Sequence, residues 1–162
     1  MASPFTIIEF GPMHAIGIPT AAVPGKTDFA TLWQKGLFVR SKEIAQPPAP
    51  KPLAICRCIP GVTERDNPTF EYIPMMQALP DAVVPAGMIA VDIPRATYAA
   101  FHVPSYAEFG RVWGSVNAAL AGQTEWKRYC NPEPCQCAQY PSFEYYPSSD
   151  GTGYVYIPVH RA

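Results

Sequence analysis

Apolar residues recur with helical spacing in two stretches of the chain and alternate more loosely elsewhere. Phe29, Leu32, Trp33 and Leu37 fall on one face of a helix predicted over about residues 28–43, with Thr27 or Asp28 placed to cap its start. Phe109, Val112, Trp113, Val116 and Leu120 form a stronger stripe and predict a second helix. Ser105 and Glu108 stand at capping-box spacing before it, and Gly122 marks its end. Short strands are predicted over Phe5–Glu9, His14–Pro19, Leu53–Ile59, Phe70–Gln77, Met88–Ile93, Ala96–Val103, Phe143–Tyr146 and Tyr154–Val159. Gly11-Pro12, Pro94-Arg95 and Asp150-Gly151 supply the backbone angles of tight turns between antiparallel partners. The proline-rich stretch 46–52 reads as the loop after the first helix.

An internal echo organises these elements. Asp28-Phe29-Ala30-Thr31-Leu32-Trp33 resembles Glu108-Phe109-Gly110-Arg111-Val112-Trp113, and Phe70-Glu71-Tyr72-Ile73-Pro74 resembles Phe143-Glu144-Tyr145-Tyr146-Pro147 in the same order. The expected fold is therefore α+β, one domain over 1–162. It is built from duplicated βαββ units, at about 1–80 and 86–162, related by a pseudo-twofold axis. An antiparallel sheet with its two main helices on one face, and a cleft between the halves, would result.

Composition narrows the function. With 162 residues, 48% of them hydrophobic and 12% aromatic, the chain is long enough for a core without disulfides or structural metal. A net charge of −1 with no basic stripe argues against nucleic acid and membrane surfaces as partners. Residues 1–10 lack a cationic leader and a long apolar run, and five clustered cysteines suit a reducing compartment, so the expectation is cytoplasmic. Cys56/Cys58 and Cys135/Cys137 have one intervening residue each, which does not suit a zinc knuckle even with Cys130 nearby. His14, His102 and His160 form no ligand or triad pattern. No phosphate loop, nucleophile elbow or paired-histidine motif occurs, so no cofactor and no metal are expected.

Candidate chemistry centres on Glu144. Alternation along Phe143-Glu144-Tyr145-Tyr146 puts its carboxylate and the Tyr146 phenol on one face of an apolar strand. Burial there would raise the carboxyl pKa. A carboxylate among aromatic faces suits a cationic or polarised ligand, and equally a general acid or base toward water; a solvated glutamate on an edge strand is the plain alternative. Glu71 holds the matching place in the first half, exposed or as a secondary wall. Trp33 and Trp113 on their helices, and Tyr98, Phe101, Tyr154 and Tyr156 on their strands, serve as core or as cleft walls, with Tyr156 beside Glu144 if the last two strands pair.

The stretch Gly87-Met88-Ile89-Ala90-Val91-Asp92-Ile93-Pro94-Arg95-Ala96-Thr97-Tyr98-Ala99-Ala100-Phe101 resembles the hairpin of GyrI-like, AraC-type effector-binding domains. The Trp113 helix, Phe143-Glu144-Tyr145-Tyr146 and Tyr154-Val155-Tyr156-Ile157-Pro158-Val159 follow in that family's order, and the first half matches more loosely. The resemblance implies the duplicated βαββ fold, with a glutamate of the Glu144 strand at the base of the pocket. It implies binding of a small organic ligand by a stand-alone relative with no room for a helix-turn-helix. It leaves two alternatives, hydrolysis of strained cyclopropane-type natural products and interaction with DNA gyrase. A monomer is the default. The segment from Cys130 to Cys137 and the early prolines depart from the family's pattern and leave the ligand class open.

Overall fold

Strand alternation and the two apolar stripes generate most of the elements in the computed structural model, which describes residues 3–59, 69–129 and 136–162. In chain order these are β1 (Thr6–Phe10), β2 (Met13–Gly17) and β3 (Thr20–Ala22), then a helical segment of α1 (Phe29–Thr31), a π-helical turn (Leu32–Leu37), α2 (Phe38–Arg40) and a 3₁₀ turn (Ser41–Glu43). There follow β4 (Pro52–Arg57), β5 (Phe70–Gln77), β6 (Ile89–Ile93), β7 (Ala96–Val103), a 3₁₀ turn (Tyr106–Glu108), α3 (Phe109–Ala121), β8 (Trp126–Arg128), β9 (Ser142–Tyr145) and β10 (Gly153–Arg161). The fold is α+β, and the pairings described below are antiparallel. No helix among the described residues is long and apolar enough to cross a membrane.

The chain forms two compact units, one of Met1–Pro12 with Pro94–Ala162 and one of Met13–Ile93. These boundaries differ from the sequence echo, which divides near residues 80–86. The hairpins expected at Gly11-Pro12 and Pro94-Arg95 do not form. β1 pairs with β7 along Thr6↔Ala100 to Phe10↔Ala96, while β2 pairs with β5 and β6. Turn residues make a reversal easy but do not choose the strand's partner, which is decided by which apolar faces can be buried together. Asp150-Gly151 does join a hairpin, β9 to β10, with Gly151 at φ +90° and the Asp150 carboxylate accepting the Thr152 N–H at 3.0 Å.

In the first unit the strands run β1-β7-β10-β9, and β8 pairs with the end of β10. α3 packs on β7, β8 and β10 and buries Phe109, Val112, Val116 and Leu120, the residues of its stripe other than Trp113. Its start departs from the capping box. Ser105 makes no side-chain cap; a 3₁₀ turn with Glu108 N–H donating to Ser105 O at 3.0 Å leads into the helix, and Glu108 pairs with Arg111. Gly153 at the start of β10 is required by packing, because a Cβ there would lie 2.9 Å from the Phe109 ring and 2.7 Å from the Tyr145 carbonyl oxygen.

In the second unit the order is β4-β5-β2-β6, with β3 on β5. Ile16, Leu37, Ile44, Met76, Ala78 and Met88 form one of its buried clusters, with Trp33 packed against it. The helical segment covers the predicted span, but its middle turn is widened to π geometry around Gly36, a distortion that a 3.6-residue pattern does not reveal.

Candidate functional site

Cross-strand register sorts the first unit's side chains onto two faces. Directly opposed residues share a face. Phe101, Val155 and Glu144 lie in one row across β7, β10 and β9, and Ala100, Tyr156 and Phe143 lie in the adjacent row on the opposite face. The Glu144 row faces α3.

Glu144 is 8% exposed. Trp113, one position from the buried Val112 on α3, directs its indole toward β9, and its Nε1–H donates to Glu144 Oε1 at 3.0 Å. Tyr146 lies on the same side of the chain as Glu144, and its hydroxyl donates to Oε2. Both carboxylate oxygens thus receive a donor from an aromatic side chain. The Tyr146 ring lies 5.1 Å from Phe109 and 5.8 Å from Tyr106, so the carboxylate sits in an aromatic wall beneath the helix. Such donors offset the desolvation that an ionised carboxylate would otherwise suffer at this depth.

The structure brings Glu144, Tyr146 and Trp113 together, and places Phe101 on their face with its ring 5.3 Å from Phe5. Tyr98 and Tyr156 stand elsewhere, on the opposite face. There they join Phe10, Phe143 and Tyr145, with Phe10 ring centroids 6.1, 5.7, 5.2 and 5.1 Å from those of Tyr98, Phe143, Tyr145 and Tyr156. Tyr98 is fully buried and its hydroxyl donates to Pro94 O at 3.1 Å. Burial holds its phenol protonated far above the usual tyrosine range, and burial with the neighbouring Tyr145 and Tyr154 pushes Tyr156 up to about 12. Tyr145 is raised by burial as well. With their pKa values raised, these phenols keep their protons at neutral pH and can donate as well as accept hydrogen bonds.

In the second unit Trp33 Nε1–H donates to the Tyr72 hydroxyl at 2.8 Å, with the Phe29 ring 4.7 Å from Tyr72. Glu71 is half-buried and pairs with Arg57 across β4 and β5 at 2.7 Å. The echoed Phe-Glu-Tyr triplets occupy different strand positions: β5 is flanked by β4 and β2, whereas β9 flanks β10. Phe10, Phe143 and Tyr145 are not among the candidate site residues that the sequence singles out. The Phe143/Tyr145 alternation carried the signal, but nothing local to Phe10 indicated that β1 joins the second-half strands. Cys130 and Cys135 lie outside the described residues. Among the described residues no group of three or more His, Cys, Asp or Glu is arranged to hold a metal ion.

No protein-family model matches the chain, and no curated protein matches it. Solved structures do. An integron cassette protein from the mobile metagenome of Vibrio cholerae superposes with a TM-score of 0.66 at 17% identity, covering 97% of this chain and 96% of that one. The EcmrR C-terminal domain superposes with a TM-score of 0.69 at 10% identity over 100% of both chains. SAV2435, solved bound to tetraphenylphosphonium, gives 0.62 at 12% identity, covering 96% of this chain and 93% of that one. At these identities the likeness shows the fold alone.

Proposed function

We propose that the chain binds a small hydrophobic organic cation, with Glu144 as the charged anchor. The observation that carries this reading is a carboxylate 8% exposed, held from both sides by Trp113 and Tyr146 and walled by rings. Ring faces and a carboxylate attract a delocalised cation in the same sense, and a ligand too large to be strongly hydrated loses little on entering. The tetraphenylphosphonium bound by SAV2435, a protein of the same fold, is a ligand of this kind. Because both Glu144 oxygens are engaged, entry requires Tyr146 or the first turns of α3 to shift, with the ligand's charge replacing a donor.

The finer architectural reading, two copies of one βαββ design, belongs here too. It is supported by the matching strand orders β1-β7-β10-β9 and β6-β2-β5-β4. On this reading the copies run over 13–93 and over 94–162 with 1–12, and the Phe-Glu-Tyr echo is incidental.

The test is a titration with tetraphenylphosphonium and with triphenylphosphine oxide, its neutral analogue, on wild type and Glu144→Gln, followed by thermal shift and calorimetry. A cation that stabilises the fold by mass action, and loses about tenfold or more in affinity on Glu144→Gln, is expected. Equal binding of the neutral analogue, or no loss in the variant, would sink the proposal. A compound consumed by wild type alone would bring hydrolysis forward instead.

A further inference from the structure

The first unit carries an open groove of about 520 Å³ away from Glu144, where β1, the start of β7 and the end of β10 meet β8. Its size falls within the ~300–1,000 Å³ of ordinary ligand sites. Three features describe its chemistry. First, it has aromatic plates: Tyr129 and Tyr140 stack at 4.0 Å and 12°, and Trp126 carries the Arg161 guanidinium 4.7 Å above its ring. Burial and the neighbouring Tyr140 raise the Tyr129 phenol, so it stays neutral and can both donate and accept. Second, Arg95 lines the groove, is exposed, and makes no side-chain hydrogen bond or ion pair with any described residue. Third, Glu9 on β1 lines it too; it accepts from the Thr97 hydroxyl but takes part in no ion pair among the described residues.

A guanidinium and a carboxylate that share one groove without pairing each other are both available to a ligand. Arg161 is not, because Glu125 already pairs with it. We propose that this groove binds a small aromatic zwitterion of the aromatic amino-acid class. The ring lies against the Trp126, Tyr129 and Tyr140 plates, the ligand carboxylate meets the Arg95 fork, and its ammonium meets Glu9. A purely anionic ligand would face Glu9 unfavourably, and a purely cationic one would face Arg95. The site is distinct in kind from Glu144, where a single charge is buried beneath a helix.

The experiment uses the full chain, isothermal titration calorimetry, and the Trp126 indole N–H resonance as a local reporter. L-tryptophan is compared with indole-3-propionate, which lacks the ammonium, and with tryptamine, which lacks the carboxylate. L-tryptophan is expected to bind tightest and to shift the Trp126 signal. Arg95→Gln should weaken L-tryptophan and indole-3-propionate by roughly threefold to tenfold and, by removing a like charge, leave tryptamine no weaker; Glu9→Gln should weaken L-tryptophan and tryptamine and leave indole-3-propionate no weaker. Both residues are exposed, so an unchanged melting temperature verifies that each variant folds. Binding that saturating tetraphenylphosphonium does not displace separates the groove from the Glu144 site. Absence of saturable L-tryptophan binding, losses that do not follow the charge removed, or a response at Trp113 in place of Trp126 each overturns the proposal.

Discussion

Tyr146→Phe removes one hydroxyl and keeps the ring that packs 5.1 Å from Phe109. In the native protein that hydroxyl donates to Glu144 Oε2, on a residue 8% exposed, where water has little room to replace it. A hydrogen bond to a charged group contributes about 1.5–3 kcal/mol. For a chain of this length each kcal/mol moves the melting temperature by roughly 2–4 °C, so a fall of roughly 3–12 °C is expected. The assay is urea unfolding of four proteins: wild type, Tyr146→Phe, Glu144→Gln and the double variant. An amide at residue 144 is neutral, so the same hydroxyl deletion there should cost only about 0.5–1.5 kcal/mol, leaving a coupling of about 1 kcal/mol or more. Equal costs in the two backgrounds would show that the Tyr146 hydroxyl gains nothing from the carboxylate, and the electrostatic account of the site would fail with it.

The two helix tryptophans offer a comparison: Trp113→Phe removes a donor to a carboxylate and Trp33→Phe a donor to the Tyr72 hydroxyl, so beyond the shared loss of ring area the first should cost about 1 kcal/mol more in urea unfolding. Indistinguishable losses would contradict this. Alkaline pH should destabilise the fold, because Tyr98, Tyr145 and Tyr156 keep their protons in the native state while the unfolded chain loses them near the ordinary tyrosine value. Native protein then binds more protons than unfolded, and stability falls from pH 10 upward through the Tyr156 value of about 12; Tyr156→Phe should flatten that fall, as read by unfolding free energy and tyrosinate absorbance. Gly17→Ala would place a Cβ 2.1 Å from Pro74 O and 2.8 Å from the Met75 Cα, both backbone atoms of β5, so a loss of about 1–3 kcal/mol is expected and an unchanged urea midpoint would refute the β2–β5 packing.

What sequence could and could not reveal follows from which physical signals are local. The α3 stripe is a local signal, since a helix buries every third or fourth residue whatever its partner, and Phe109, Val112, Val116 and Leu120 are buried as their spacing requires. Alternation is equally local, which is why Glu144 and Tyr146 could be placed on one face from the strand alone. Strand pairing is not local. Nothing in Thr6–Phe10 shows that it joins β7, and β3 and β8 are three-residue strands too short for a pattern. Register is the decisive missing quantity for the site. Val155 stands opposite Glu144 and Tyr156 opposite Phe143; a slip of one residue would have put the Tyr156 ring beside the carboxylate. That single step separates one aromatic cleft containing a carboxylate from the arrangement observed, in which the carboxylate lies under α3 and the Tyr98, Tyr145 and Tyr156 phenols fill the other face. The tyrosines of that face therefore set the alkaline limit of the fold, while on the proposed reading selectivity for charge would rest on Glu144, with Trp113 and Tyr146 among its donors.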